Sequence, residues 1–171
     1  KAGAKDYEKY SKKILNICNR KPVSLEVFAD DYDGIKKQAV KINKWGKNVY
    51  VKIPVTNTKG SFLGDVINEL SSNQIKLNIT AVYSFSQVNK ILNCLNKNTK
   101  SIISIFAGRM ADKGKDPIPI FKKSLAVSRK YKKIEILWAS TREAYNYLQA
   151  KKLKCNIITM PPKIIDKIEN F

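Results

Sequence analysis

Apolar residues along this chain recur at two spacings, and the spacings alternate. From Lys5 to Cys18 they fall at Tyr7, Tyr10, Ile14, Leu15 and Cys18 with lysines between, one face of an amphipathic helix that Pro22 closes off. Val23 to Ala29 is a strand, its apolar run interrupted by Glu26. Ile35, Ala39, Val40 and Ile42 mark a second helix, Asp33 to Trp45, stopped by Gly46. Val49 to Val55 is a β-branched and aromatic strand that carries Lys52 and ends at Pro54. A loop with Asn57, Lys59 and Gly60 leads to a third helix, about Phe62 to Leu70. Leu77 to Tyr83 is a strand, after which Ser84 or Ser86 caps a helix running to about Leu95. Ile102 to Phe106 is a strand. Ala107 to Pro119, with Gly108, Gly114 and Pro117, reads as a long loop before a helix from Ile120 to Tyr131. Ile134 to Ala139 is a strand, Thr141 to Ala150 a helix, and Asn156 to Met160 a last strand. Pro161 and Pro162 break it before a closing helix from Ile164 to Ile168.

Strands that alternate with crossover-length helices build a parallel sheet with helices outside, here from six strand–helix units in one domain over residues 1–171. The strands also keep a beat. Glu26, Lys52, Asn78 and Ser104 follow one another at 26-residue intervals, and Ser140 comes 36 residues later. Each is a polar residue in, or at the end of, an apolar strand. Five unrelated polar side chains, each bonded locally, are the bland explanation. Five in register, one of them a lysine and one a glutamate, point to a site, because a β/α barrel gathers its active site at the carboxyl ends of its strands. Lys52 stands out most. An ammonium between apolar strand neighbours either reaches out to water or gives up its proton, and a free amine in a pocket attacks carbonyls.

Composition narrows the chemistry. The chain has no histidine, which excludes a histidine-based triad and argues against zinc. Cys18, Cys94 and Cys155 are odd in number and widely spaced, as expected of small core residues in a reduced, cytoplasmic protein. No apolar run approaches the ~20 residues of a membrane span. The formal net charge of +19 suggests nucleic acid at first sight. The lysines are scattered through every segment, however, and the Asn- and Ile-rich background marks a compositional bias. The expected partners are therefore neither nucleic acid nor membrane. Against that background the arginines, only Arg20, Arg109, Arg129 and Arg142, stand out.

Several stretches then converge on a known family. Ser24-Leu25-Glu26-Val27, Val51-Lys52-Ile53-Pro54, Asn78 to Gln87, Ser104-Ile105-Phe106-Ala107-Gly108-Arg109 and Ala139-Ser140-Thr141-Arg142 come in the order found in transaldolases. The chain resembles those Schiff-base enzymes over essentially its whole length. The resemblance implies a TIM-type (β/α)8 barrel in the α/β class. It implies that Lys52 forms the imine with a ketose, while Glu26 and Thr80 hold a water and relay protons. Asn78 and Ser104 are implied as ligands of the dihydroxyacetone unit, and Arg109, Ser140 and Arg142 as a phosphate clamp. The related fructose-6-phosphate aldolases typically carry tyrosine where Phe106 stands at the substrate, and glutamine where Glu26 stands, so both positions favour transaldolase. A guanidinium fork suits a sugar-phosphate dianion, and Arg109 and Arg142 are two of only four arginines. Arg142 paired with Glu143, or solvated, is the plain alternative.

The family's first two strands, the first bearing a general acid/base aspartate, have no counterpart here; Asp30 and Asp31 do not match it. The expectation is an N-terminally truncated barrel, or a relic, and the intact downstream set favours truncation. Such a chain is expected to be inactive in transfer on its own, and aggregation-prone. The implied reaction moves a dihydroxyacetone unit from a ketose phosphate to an aldose phosphate in the pentose phosphate pathway. It needs no cofactor and no metal, and its partners are sugar phosphates, with a homo-oligomer possible. Cleavage that releases dihydroxyacetone is the alternative of the same fold, and a non-catalytic basic binding module the alternative of another class.

Overall fold

The computed structural model describes residues 5–169. Among these residues six strands form one parallel sheet in the order β1 to β6: β1 Val23–Glu26, β2 Val49–Pro54, β3 Leu77–Val82, β4 Ser101–Phe106, β5 Ile134–Ala139 and β6 Ile157–Ile158. Eight helices flank them: α1 Tyr7–Cys18, α2 Tyr32–Asn43, α3 Gly64–Ser72, α4 Phe85–Cys94, α5 Ala107–Ala111, α6 Ile118–Ser128, α7 Tyr145–Lys152 and α8 Pro162–Ile168. Every strand pairs with its successor in sequence, so successive right-handed crossovers all step the same way and put the helices on one face.

Burial separates the two faces. Val51, Ile53, Leu77, Ile79, Ile103, Ile105, Ile136 and Trp138 pack with Ile35, Ile67, Ile91, Phe121 and Leu125 of the helices in one core. The residues between them in the strands point the other way. There Tyr50, Ile102, Leu137 and Ala139 form a small separate cluster without helical partners. Asn78 Nδ2 on β3 donates to Ser24 Oγ on β1 at 2.9 Å, across the intervening β2. Strands two apart in a flat sheet are separated by ~9.5 Å. A direct side-chain bond between them therefore requires a sheet curled with this helix-free face inside.

The elements match the hydrophobic pattern, with particular differences. β1 ends at Glu26 rather than Ala29, because Phe28 and Ala29 give their amides to Gln38 Oε1 of α2 instead of a strand. α3 starts at Gly64, since Phe62 is taken by a bridge to Thr56. Ser84, not Ser86, caps α4, in a reciprocal capping box with Gln87. α7 begins at Tyr145, because the Asn146 carboxamide binds the amides of Arg142 and Glu143 in a turn. β6 shrinks to two residues. The expected long loop after β4 is interrupted at its start by α5, and α6 begins at Ile118, where Asp116 Oδ1 takes the amide. Cys94 and Cys155 pack against the core as expected, all three cysteines are free, and Cys18 stands outside that core. No helix among the described residues is long and apolar enough to cross a membrane.

Candidate active site

The concave face carries the polar residues. A cavity of about 770 Å³ is lined by Ser24, Lys52, Asn78, Thr80, Ser104, Phe106, Arg109 and Ser140, together with Glu135, Leu137, Ala139 and Thr159. Seven of the nine residues singled out from sequence as catalytic or substrate-binding are thus brought to one space; Glu26 and Arg142 are not among the residues that line it.

The register explains how. Glu26 lies opposite Lys52, and Lys52 opposite Asn78, so three residues spaced alike in sequence sit side by side on β1, β2 and β3. The beat then slips. Asn78 faces Ile102, two residues short of Ser104, and Ser104 faces Leu137, three short of Ser140. The expectation of one common height thus holds for the first three residues and fails for the last two. Equal spacing reports loop and helix length as much as strand register, and the strands of a curled sheet step past one another. A two-residue step preserves the face, so Ser104 still reaches inward.

Lys52 is half-buried, with Nζ 3.4 Å from Glu26 Oε2; the side chains are 30% and 46% exposed. Glu26 sits at the open edge of the sheet, and its backbone carbonyl accepts from the Tyr7 hydroxyl of α1 at 3.2 Å. Asn78 is buried and held at both ends. Its Oδ1 accepts from Ser104 Oγ at 2.7 Å while Nδ2 donates to Ser24. One lone pair and one N–H remain for a ligand. Ser24 was not singled out from sequence. The signal was present: two residues before Glu26 in a strand is the same face.

Thr80 owes its place to a bulge. Between Ile79 and Val82 the pairing of β3 slips against β4, and Ala81 takes a left-handed φ of 58°. Bulges of this kind re-aim side chains next to sites. Thr80 Oγ1 is buried and has no hydrogen-bond partner among the described residues. A buried hydroxyl left so is costly, and suits a place where a small polar molecule binds.

Arg109, Ser140 and Arg142 follow the carboxyl ends of β4 and β5. α5 presents Arg109, whose guanidinium lies 4.8 Å over the Phe106 ring, and Phe106 in turn meets Tyr83 edge-on at 5.5 Å. Gly108 lets α5 close on β5: a Cβ there would run into the Ser140 carbonyl and come within 2.9 Å of Arg142 Cγ. Ser140 itself turns with a φ of 65°. Arg142 is half-exposed, and its ion-pair partner is Asp112 in place of Glu143. Its Nε and Nη2 hold the Asp112 carboxylate, the closest contact at 2.6 Å. That guanidinium pulls the Asp112 carboxyl below its ordinary range. Asp112 too was not singled out, because the stretch carrying it read as loop.

The family model described as transaldolase/fructose-6-phosphate aldolase matches residues 6–171. A protein of Methanococcus maripaludis described as "Probable transaldolase" is 33% identical over 171 residues, covering 99% of this chain and 75% of that protein. Proteins of Nitrosopumilus maritimus and a Thermoanaerobacter species, described alike, are each 32% identical, covering 85% and 94% of this chain and 63% and 71% of theirs. By the match of the family model over residues 6–171 and by these relatives, this chain belongs to the transaldolase/fructose-6-phosphate aldolase family.

Proposed function

We propose that the protein works as a transaldolase, through an imine on Lys52. The observation that carries the reading is the Lys52–Glu26 contact at 3.4 Å, beside the Asn78–Ser104 pair and in the cavity that also receives Arg109 and Ser140. The free amine of Lys52 adds to the keto carbon of a ketose phosphate such as fructose 6-phosphate or sedoheptulose 7-phosphate. Glu26, with a water held by Thr80, takes and returns the protons as the carbinolamine loses water. The iminium nitrogen then accepts the electron pair of the C3–C4 bond as the C4 hydroxyl proton leaves. The aldose phosphate departs, and a dihydroxyacetone enamine stays on Lys52, its hydroxyls held by Asn78 and Ser104. An acceptor such as glyceraldehyde 3-phosphate or erythrose 4-phosphate adds, and hydrolysis frees the lysine. Arg109, Ser140 and Arg142 hold the phosphate, and Phe106 supplies the wall under Arg109.

The same reading extends to the fold. Each of the edge strands β1 and β6 has one partner among the described residues, while the sheet between them is curled. Two more strands closing that gap complete a (β/α)8 barrel. One of them supplies the carboxylate that takes the C4 hydroxyl proton, a role typically worth 10²–10⁴-fold. The test supplies fructose 6-phosphate with and without an aldose phosphate acceptor to the chain extended by such strands. Transfer that depends on the acceptor supports the transaldolase reading, and acceptor-independent release of dihydroxyacetone overturns it in favour of the aldolase.

A further inference from the structure

The guanidinium of Arg142 has two edges, each able to hold an oxyanion with two parallel N–H donors. Asp112 occupies one of them. Nε lies 3.2 and 3.0 Å from its two oxygens, and Nη2 lies 2.6 Å from Oδ2. The other edge runs through Nη1, which has no hydrogen-bond partner among the described residues. The base of the side chain is fixed as well: the Arg142 amide donates to Asn146 Oδ1 at 3.0 Å, and the stem packs against Gly108. Asp112 belongs to the same turn of chain as Arg109. Its own amide closes α5 on the Gly108 carbonyl at 2.8 Å. One short helix thus delivers Arg109 to the cavity wall directly and takes hold of Arg142 indirectly.

We infer that Asp112 is a positioning residue for the anion site, gripping Arg142 by its Nε–Nη2 edge so that the Nη1 edge meets the substrate phosphate beside Arg109. This deepens the proposed function and rests on its reading of Arg142 as a phosphate ligand. A half-exposed arginine has many rotamers to lose on binding, and a second anion that holds it in advance removes part of that cost. A positioning role and simple charge counting give effects of opposite sign. Deleting a carboxylate near an anion site strengthens anion binding if charge alone matters. It weakens binding if the carboxylate sets the geometry.

Inorganic phosphate titrated into the 171-residue chain by NMR or calorimetry reads this without turnover. Arg142→Ala is expected to weaken binding about tenfold. Asp112→Ala is expected to weaken it roughly three- to tenfold, and to add nothing in the Arg142→Ala background. Asp112→Asn, nearly the same shape and still able to accept one N–H, is expected to fall between wild type and Asp112→Ala and guards against a folding defect. Unchanged or tighter phosphate binding in Asp112→Ala overturns the inference. So does equal weakening with and without Arg142. If Arg142→Ala leaves phosphate binding unchanged, the phosphate reading of Arg142 falls, and the inference with it.

Discussion

Gly108→Ala links the packing of the sheet to the chemistry proposed for its rim. A Cβ on residue 108 would enter the Ser140 carbonyl, coming within 2.8 Å of its carbon and 2.9 Å of Arg142 Cγ. Ordinary contact begins near 3.4 Å, so α5 and the end of β5 must part by well over half an ångström. The obstacle is backbone, and Ser140 already sits at a positive φ, so little of the strain can be relieved by a rotamer change. Overpacking of this kind costs typically about 1–3 kcal/mol. At roughly 2–4 °C per kcal/mol for a chain of this size, the upper end lowers Tm by about 6–12 °C. The same displacement moves Arg109 away from Ser140. Misplacing a binding group by about 1 Å can cost on the order of a hundredfold. Thermal unfolding followed by circular dichroism, and a phosphate titration on the same samples, measure both effects. Gly114→Ala is the control. Nothing lies within 4 Å of a Cβ there, and only its φ of 68° opposes a side chain, so stability falls slightly and phosphate affinity stays. Equal Tm and equal phosphate affinity in Gly108→Ala and wild type would refute the argument that the close approach of α5 builds the anion site.

In the chain extended by the closing strands, Arg109→Ala is expected to raise the KM for phosphorylated ketoses roughly ten- to a hundredfold and to leave unphosphorylated ones nearly unchanged; equal effects on both would make Arg109 structural. Stability falls as pH rises above about 9. Burial pushes the Cys155 thiol up to about 11, and it raises the Tyr7 and Tyr50 hydroxyls as well. These groups hold their protons more tightly folded than unfolded, so their contribution is whole below the unfolded values and is lost as pH climbs through the folded ones. For Cys155 the shift corresponds to about 2–3 kcal/mol. Denaturant melts from pH 7 to 11 of wild type and Cys155→Ala test this: the slope above pH 9 should flatten in the variant, and an unchanged slope would clear Cys155 of the effect.

Much of the fold was legible because parallel strands buried on their helix side are short apolar runs, and the helices between them keep a 3.6-residue period. The site was legible where chemistry breaks a strand's pattern. Lys52, Asn78 and Ser104 are polar residues in otherwise apolar strands, and the structure places all three on the concave face. What escaped depends on three-dimensional detail. A bulge at Ala81 leaves no mark that alternation can read, because the residue is not glycine. α5 has five residues among glycines and charges, too few for a helical period to show. Asp112 gains its meaning only from Arg142, thirty residues on, which Gly108 allows to come close. Ser140 lies three residues beyond the register position opposite Ser104, and reaches the cavity because the chain turns sharply there.

In the proposed reaction Lys52 becomes covalently bound to the substrate's keto carbon. The direct measurement is borohydride reduction of the protein in the presence of dihydroxyacetone, followed by peptide mass mapping. In the proposed reaction imine formation draws on Lys52, Glu26 and Thr80 and does not need the group that assists carbon–carbon cleavage, so the 171-residue chain is a fair subject. With 33 lysines and arginines in the chain, mapping is needed to tell the site from random glycation. A reduced adduct concentrated on the peptide carrying Lys52 is expected, lost in Lys52→Ala, whose circular dichroism stays that of wild type. Undiminished trapping in that variant, or adducts spread evenly over the surface lysines, would contradict it.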